Sequence, residues 1–246
     1  MRVKRLVAGG VCFLLLPASV LPQTAPADAA ATRQKMIEAL RLQKERRDLP
    51  TLNIAHAATD STPARKLRSS HFRESDSPPL PSRVLPGMPV IYIPRYITKT
   101  GDPMEALPTE QSDAIVRGLV TDARAWLTDD QSAIYSEFNI RVDQVLKPNA
   151  AVAIGQEVTA LRWGGALQLP AVLMKVRQAD QIMPVVGGNY LLFLKHYSKA
   201  DPAFTIVTGY RLESGVATAL DILPENMRFE GSSEAALFAA LEAKLP

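Results

Sequence analysis

The chain has 246 residues, 28 of them basic and 25 acidic, for a net charge of +3, with 47% hydrophobic and 22% charged residues. That is ordinary composition for a globular protein, and at ~100–200 residues per domain it leaves room for one domain plus extensions. A single cysteine, Cys12, excludes an intramolecular disulfide framework.

The first segment has the layout of an export signal. Arg2, Lys4 and Arg5 precede an apolar run from Leu6 to Leu21, and small residues follow, with Ala25-Pro26-Ala27 and Ala27-Asp28-Ala29 as cleavage sites. Residues 1–29 are therefore expected to be a signal peptide, and the location periplasmic or secreted. Gly9, Gly10 and Pro17 break the run, so it falls short of the ~20 apolar residues of a bilayer span. An uncleaved anchor is the alternative reading. Cys12 lies too early in the apolar run, and behind the wrong residue, Val11, for lipid attachment. No later segment is long and apolar enough to cross a bilayer as a helix, so no transmembrane span is expected after signal removal. Removing residues 1–29 takes away Arg2, Lys4, Arg5 and Asp28, which leaves 25 basic against 24 acidic residues and no cysteine.

Residues 30–83 read as a basic, largely disordered lead-in with a short helix. Met36, Ile37 and Leu40 share one side of a helical pattern over Ala31–Asp48, which Pro50 would end. Such a basic stretch can bind an anionic membrane surface or nucleic acid, or simply solvate its segment, and the solvated reading is the favoured one. From Thr51 to Ser82 the chain is rich in Ser, Thr, Pro and Arg and poor in large apolar residues, which predicts a disordered linker.

Residues 84–246 are expected to form one mainly β domain. Val84–Ile97, interrupted by Pro86, Pro89 and Pro94, fits an extended segment or edge strand packed on the body, with a free partner-binding strap as the alternative. Alternation predicts a hairpin over Ile115–Leu127 and Ile134–Leu146, in which Phe138, Ile140 and Val142 face the core. Further strands are predicted at Val158–Trp163, at Leu167–Val176 with a bend or split at Pro170, and at Asn189–His196, Phe204–Leu212 and Val216–Leu220. Six to seven short, mostly antiparallel strands argue for a small barrel or sandwich, OB-like in form. Ser232-Ser233-Glu234 opens a C-terminal helix over residues 232–245, expected to lie across an open end or edge of the sheet.

The order of these elements resembles secreted domains of the OB-fold, netrin/TIMP-like type. The resemblance covers residues 113–221 and rests on three runs, Val116-Arg117-Gly118-Leu119-Val120, Ile134 through Val142 to Val145-Leu146-Lys147, and Val186-Gly187-Gly188-Asn189-Tyr190-Leu191-Leu192-Phe193-Leu194. With Thr208-Gly209-Tyr210, the layout is also similar to that of bacterial exported proteins. It implies a fold. The cysteines that frame animal members of the type are absent here, so no inhibitory activity carries over, and a function drawn from it would be analogy at the level of the fold.

Chemistry is sparsely marked. The body holds one histidine, His196, at the end of its most apolar strand, and no zinc spacing, phosphate loop or nucleophile elbow. Trp163 and Arg162, beside Gly164-Gly165, suit a recognition site; Trp163 as core filler at a strand end is the competing reading. His196 joins them as the third candidate ligand-binding residue. Asp129 and Asp130 could contribute to a calcium site or serve as turn residues. No catalytic residue, metal or cofactor is assigned. The favoured function is an exported binding module whose partner is an envelope protein or a glycan. The alternative is a hydrolase built on Glu137, Glu157 or Asp143, two of which would have to face one cleft. Export and the acidic body, with 15 basic and 20 acidic residues from Glu74 onward, argue against a nucleic-acid partner.

Overall fold

The computed structural model describes residues 49–54, 62–74, 77–85, 87–95 and 105–245. The chain divides after Ala39, and every described residue belongs to the second unit. The signal segment, Cys12 and the helix expected at Ala31–Asp48 lie outside the described residues.

The protein is mainly β. Alternating residues give β3 (Ala114–Leu127) and β4 (Ile134–Lys147), which pair antiparallel with Leu127 opposite Ile134. Irregularities in this pairing between Val120 and Asp122 and at two other points bend the long strands. β4 then pairs with β5 (Glu157–Trp163), and β3 with β8 (Asn189–His196). β8 pairs in turn with β9 (Phe204–Glu213), whose other neighbours are β10 (Val216–Ala219) and β5. The β5–β9 contact is parallel and only two residue pairs long. The result is a six-stranded, barrel-like sheet, laced along most of its circumference and thinly at that junction.

Alternation explains the interior. Val116, Val120, Phe138, Ile140, Val142, Leu192 and Leu194 point inward and are buried together. β3 and β8 are apolar on their other face too: Ile115, Leu191 and Phe193 form a separate buried cluster with Tyr210 and Leu212. A strand apolar on both faces needs a second cover. The C-terminal helix α2 (Glu234–Glu242) supplies it through Leu237 and Leu241, both fully buried and each contributing roughly 1.5–3 kcal/mol. Ser233 caps this helix by accepting the Ala236 N–H at 3.2 Å, and Glu234 pairs with Arg117 at 3.0 Å. The helix thus lies over an outer face of the sheet, where an end or edge was expected, because Ile115, Leu191 and Phe193 make that face apolar.

The strand predicted around Pro170 is split into β6 (Gly165–Gln168) and β7 (Leu173–Gln178), a hairpin that leaves the barrel-like sheet. It forms the centre of a second, four-stranded sheet. Its flanks come from far upstream: β1 (Thr51–Asn53) runs parallel to β6, and β2 (Val90–Arg95) parallel to β7. The proline-rich entry segment is therefore a packed edge strand, with Pro94 near its end.

The segment expected to be a linker is largely built into the fold where it is described. Besides β1 it forms helix α1 (Pro63–Phe72) and a short 3-10 turn over Leu80–Arg83. Phe72 and Leu80 are buried, in one cluster with Tyr135, Leu161, Trp163, Leu167 and Met174. The rule that predicted disorder weighs apolar content. Here two well-placed apolar anchors are joined by polar bonds to the β3–β4 turn. Leu80 N–H donates to the Gln131 carbonyl at 2.8 Å, Glu74 N–H to Ser132 Oγ at 2.9 Å, and Asp129 N–H to Ser69 Oγ at 2.7 Å.

Candidate functional site

Arg162 and Trp163 follow Val158 and Ala160 along β5, so alternation sends Arg162 into the barrel-like sheet and Trp163 out of it. Arg162 is 2% exposed. Its Nη2 donates to Asp221, whose other oxygen accepts from Thr208 Oγ1 at 2.6 Å, and Asn226 donates to that same hydroxyl at 3.1 Å. A buried guanidinium without such a partner would be strongly destabilising. Trp163, 6% exposed, is packed between the two sheets beside Leu167 and Met174. The expectation that this pair forms a surface recognition site is thus corrected: both side chains are interior.

Gly164 and Gly165 are the corner between the sheets. Gly164 has φ +102, its N–H donates to the Ile134 carbonyl at 2.8 Å, and its carbonyl accepts from Ser136 Oγ at 2.7 Å. A Cβ on Gly165 would lie 2.8 Å from Ile134 Cγ2. Glycine is required there for conformation and close approach.

His196 alone of the three predicted residues reaches a surface cavity. At its end of the sheet lies an open groove of about 790 Å³, bounded by Asp113, by Asn149 and Ala151 of the β4–β5 loop, and by the β8–β9 loop from Tyr197 to Pro202. That volume is within the ~300–1,000 Å³ of ligand pockets. The His196 ring packs on Phe204, centroids 4.0 Å apart, and its main-chain N–H donates to Asp113 Oδ2 at 2.8 Å. Asp113 therefore fixes the strand end that carries the imidazole. Asn149 Nδ2 donates to the Asp113 carbonyl at 3.3 Å, and its Oδ1 accepts the Ala151 N–H at 2.9 Å. Its amide is thus spent on shaping the loop. The groove itself presents the imidazole of His196, the exposed ammonium of Lys199, the exposed carboxylate of Asp113 and the hydroxyl of Ser198.

Behind the groove lies a dense ionic cluster. Arg68 of α1 forks onto Asp201, Nε to Oδ2 at 2.6 Å and Nη2 to Oδ1 at 2.9 Å, and its Nη1 reaches Glu137 at 2.9 Å. Arg65 meets the other Glu137 oxygen at 3.1 Å, and its guanidinium lies 3.1 Å above the centre of the Trp126 ring. The Tyr197 hydroxyl donates to Asp201. Burial by itself would push the Asp201 carboxyl up, but the bonds from Arg68, Tyr197 and the Ala203 N–H hold it below the usual carboxylate range. Burial, with the hydrogen bond to Asp201, pushes the Tyr197 phenol above its ordinary value. His71 is lowered by burial.

None of the three carboxylates of the hydrolase reading lines the groove. Glu137 is committed to Arg65 and Arg68. Glu157 is paired in register with Arg141, four residues further along β4, a separation of about 13 Å at ~3.3 Å per residue; it accepts from Thr121 Oγ1 at 2.7 Å. Asp143 pairs with Arg141 at 3.5 Å on the exposed surface. Asp130 accepts from the N–H and Oγ of Ser132 and pairs with Arg73 at 3.0 Å; it closes the turn and grips the lead-in. Among the described residues no group of three His, Cys, Asp or Glu side chains gathers to hold a metal ion.

Comparison with family models, curated proteins and solved structures returns no match. The site is therefore argued from its own geometry. Sequence reasoning found His196 and missed Asp113, Tyr197, Lys199 and Asp201. The signal for the last three is the polar run Tyr197-Ser198-Lys199-Ala200-Asp201-Pro202, placed directly after the most apolar strand; Asp113 has none.

Proposed function

We propose that this chain acts outside the cytoplasm as a non-catalytic binding module, with the groove at His196 as its site and an envelope glycan as its ligand. The observation that carries the reading is the groove lining. An imidazole, an ammonium, a carboxylate and a hydroxyl offer donors and acceptors around one groove, which suits a ligand dense in hydroxyl groups. The export-like first 29 residues support the location. The pairing order also favours an OB-type body: of the five long strands β3, β4, β5, β8 and β9, the third and fifth meet in parallel and the first and fourth antiparallel. Membership of the OB-fold, netrin/TIMP-like type is part of this proposal, and the fold type by itself assigns no ligand.

The test is co-sedimentation with purified cell-wall polysaccharide. Saturable binding is expected, weakened about tenfold or more by His196→Ala combined with Lys199→Ala, since a lost hydrogen bond to the charged Lys199 is worth about 1.5–3 kcal/mol. The double variant should keep the wild-type far-UV circular dichroism spectrum, so that the loss reports on the groove and not on the fold. Absence of saturable binding overturns the glycan reading. An envelope protein is the second reading, favoured by the exposed Leu85 and Met88 ahead of β2, 54% and 48% accessible. Crosslinking that loses its product when both are changed to serine would select it.

A further inference from the structure

The groove wall from Tyr197 to Pro202 is a short polar loop between β8 and β9, and such loops take their shape from what holds them. This one is held from behind. Asp201 is 2% exposed, and both of its oxygens face the protein: they accept from Arg68 Nε and Nη2, from the Ala203 N–H at 2.9 Å and from the Tyr197 hydroxyl. The third arm of Arg68 ends on Glu137 of β4. One guanidinium thus ties the loop to the barrel-like sheet. From the same helix, the His71 ring lies 4.9 Å from the Tyr197 ring.

We propose that Arg68, which lies outside the groove, is a positioning residue for it. Its fork fixes Asp201, Asp201 fixes Tyr197 and Ala203, and the docking of α1 sets the shape of the groove wall. A planar fork imposes direction as well as charge, which a lysine at the same place does not. Docking of α1 and occupancy of the groove are then linked, and the linkage is reciprocal. The linkage rests on the groove being the binding site; the positioning role does not.

Hydrogen–deuterium exchange on the full-length chain tests both. In Arg68→Met, exchange over 63–72 and 197–203 rises on the order of a hundredfold, because a buried carboxylate loses its partner. Strands at 116–120 and 138–142 keep wild-type protection. Arg68→Lys restores charge without the fork, so 63–72 regains part of its protection while 197–203 stays fast. Loosening of 63–72 with wild-type exchange at 197–203, in either variant, overturns the positioning role. If Arg68→Met loses protection everywhere, Arg68→Lys decides by the same criterion. For the linkage, saturating cell-wall polysaccharide slows exchange over 63–72 in the wild type and leaves Arg68→Met unchanged. Polysaccharide that binds without slowing 63–72 overturns the linkage, and polysaccharide that does not bind overturns the groove reading while the exchange result stands.

Discussion

The barrel-like sheet and the lead-in are held by different physics. The sheet is specified by alternation: strand after strand buries a set of apolar side chains, and no single contact decides the outcome. The lead-in has three buried apolar anchors, Leu49, Phe72 and Leu80, and depends otherwise on the short β1 pairing, on Arg65 and Arg68, and on bonds to the β3–β4 turn. A structure secured by many weak contacts degrades gradually, whereas one secured by a few charged bonds can be released by a single change. The lead-in should therefore come off before the sheet unfolds.

The strongest way to break that contrast is in the sheet interior. Phe138→Ala removes a fully buried ring and should cost about 3–5 kcal/mol, seen as a lower denaturant midpoint of the far-UV circular dichroism transition. Asp201→Ala should cost somewhat less, about 3 kcal/mol, and act differently. Trp126, under the Arg65 guanidinium, should change its emission at a lower denaturant concentration than the circular dichroism does. Coincident transitions would mean that lead-in and sheet are one cooperative unit.

The smallest effect is in pH. Because the folded-state value of Asp201 lies below its ordinary value, its contribution is present above about pH 4 and is lost as pH falls through the folded value. On the alkaline side Tyr197 is raised, and Tyr135 is pushed up to about 12 by burial first and the Glu137 charge second. Above about pH 10 the unfolded chain gives up these phenol protons before the folded one does. Stability should fall there. A melting temperature that stays flat between pH 10 and 12 would show that these phenols do not sense burial.

What the sequence revealed follows the same division. The bounds of β8 are those that its apolar run predicts, and the β3–β4 hairpin is matched to within a residue at each end, because period-two patterning is a local property. The second cover over Ile115, Leu191 and Phe193 was legible in principle, since those residues lie between inward-facing neighbours. Arg162 was not. A charge next to an aromatic and two glycines reads as surface, and only Asp221, far along the chain, makes it an interior residue. The same holds for Arg68, whose partners Glu137 and Asp201 are non-local. Polar networks are written in pairs, and neither half of a pair carries its own signal.

The parallel flanks of the second sheet have a kinetic consequence. β1 and β2 are made early in synthesis, yet Thr51 pairs with Ala166 and Val90 with Leu173. Neither strand has a partner until the β6–β7 hairpin exists, and both loops must close before any contact rewards them. The second sheet is thus a late event in folding. A chain interrupted before Gln178 carries Ile91 and Ile93 in an extended segment with nothing to pair against, the kind of exposed edge that seeks another chain.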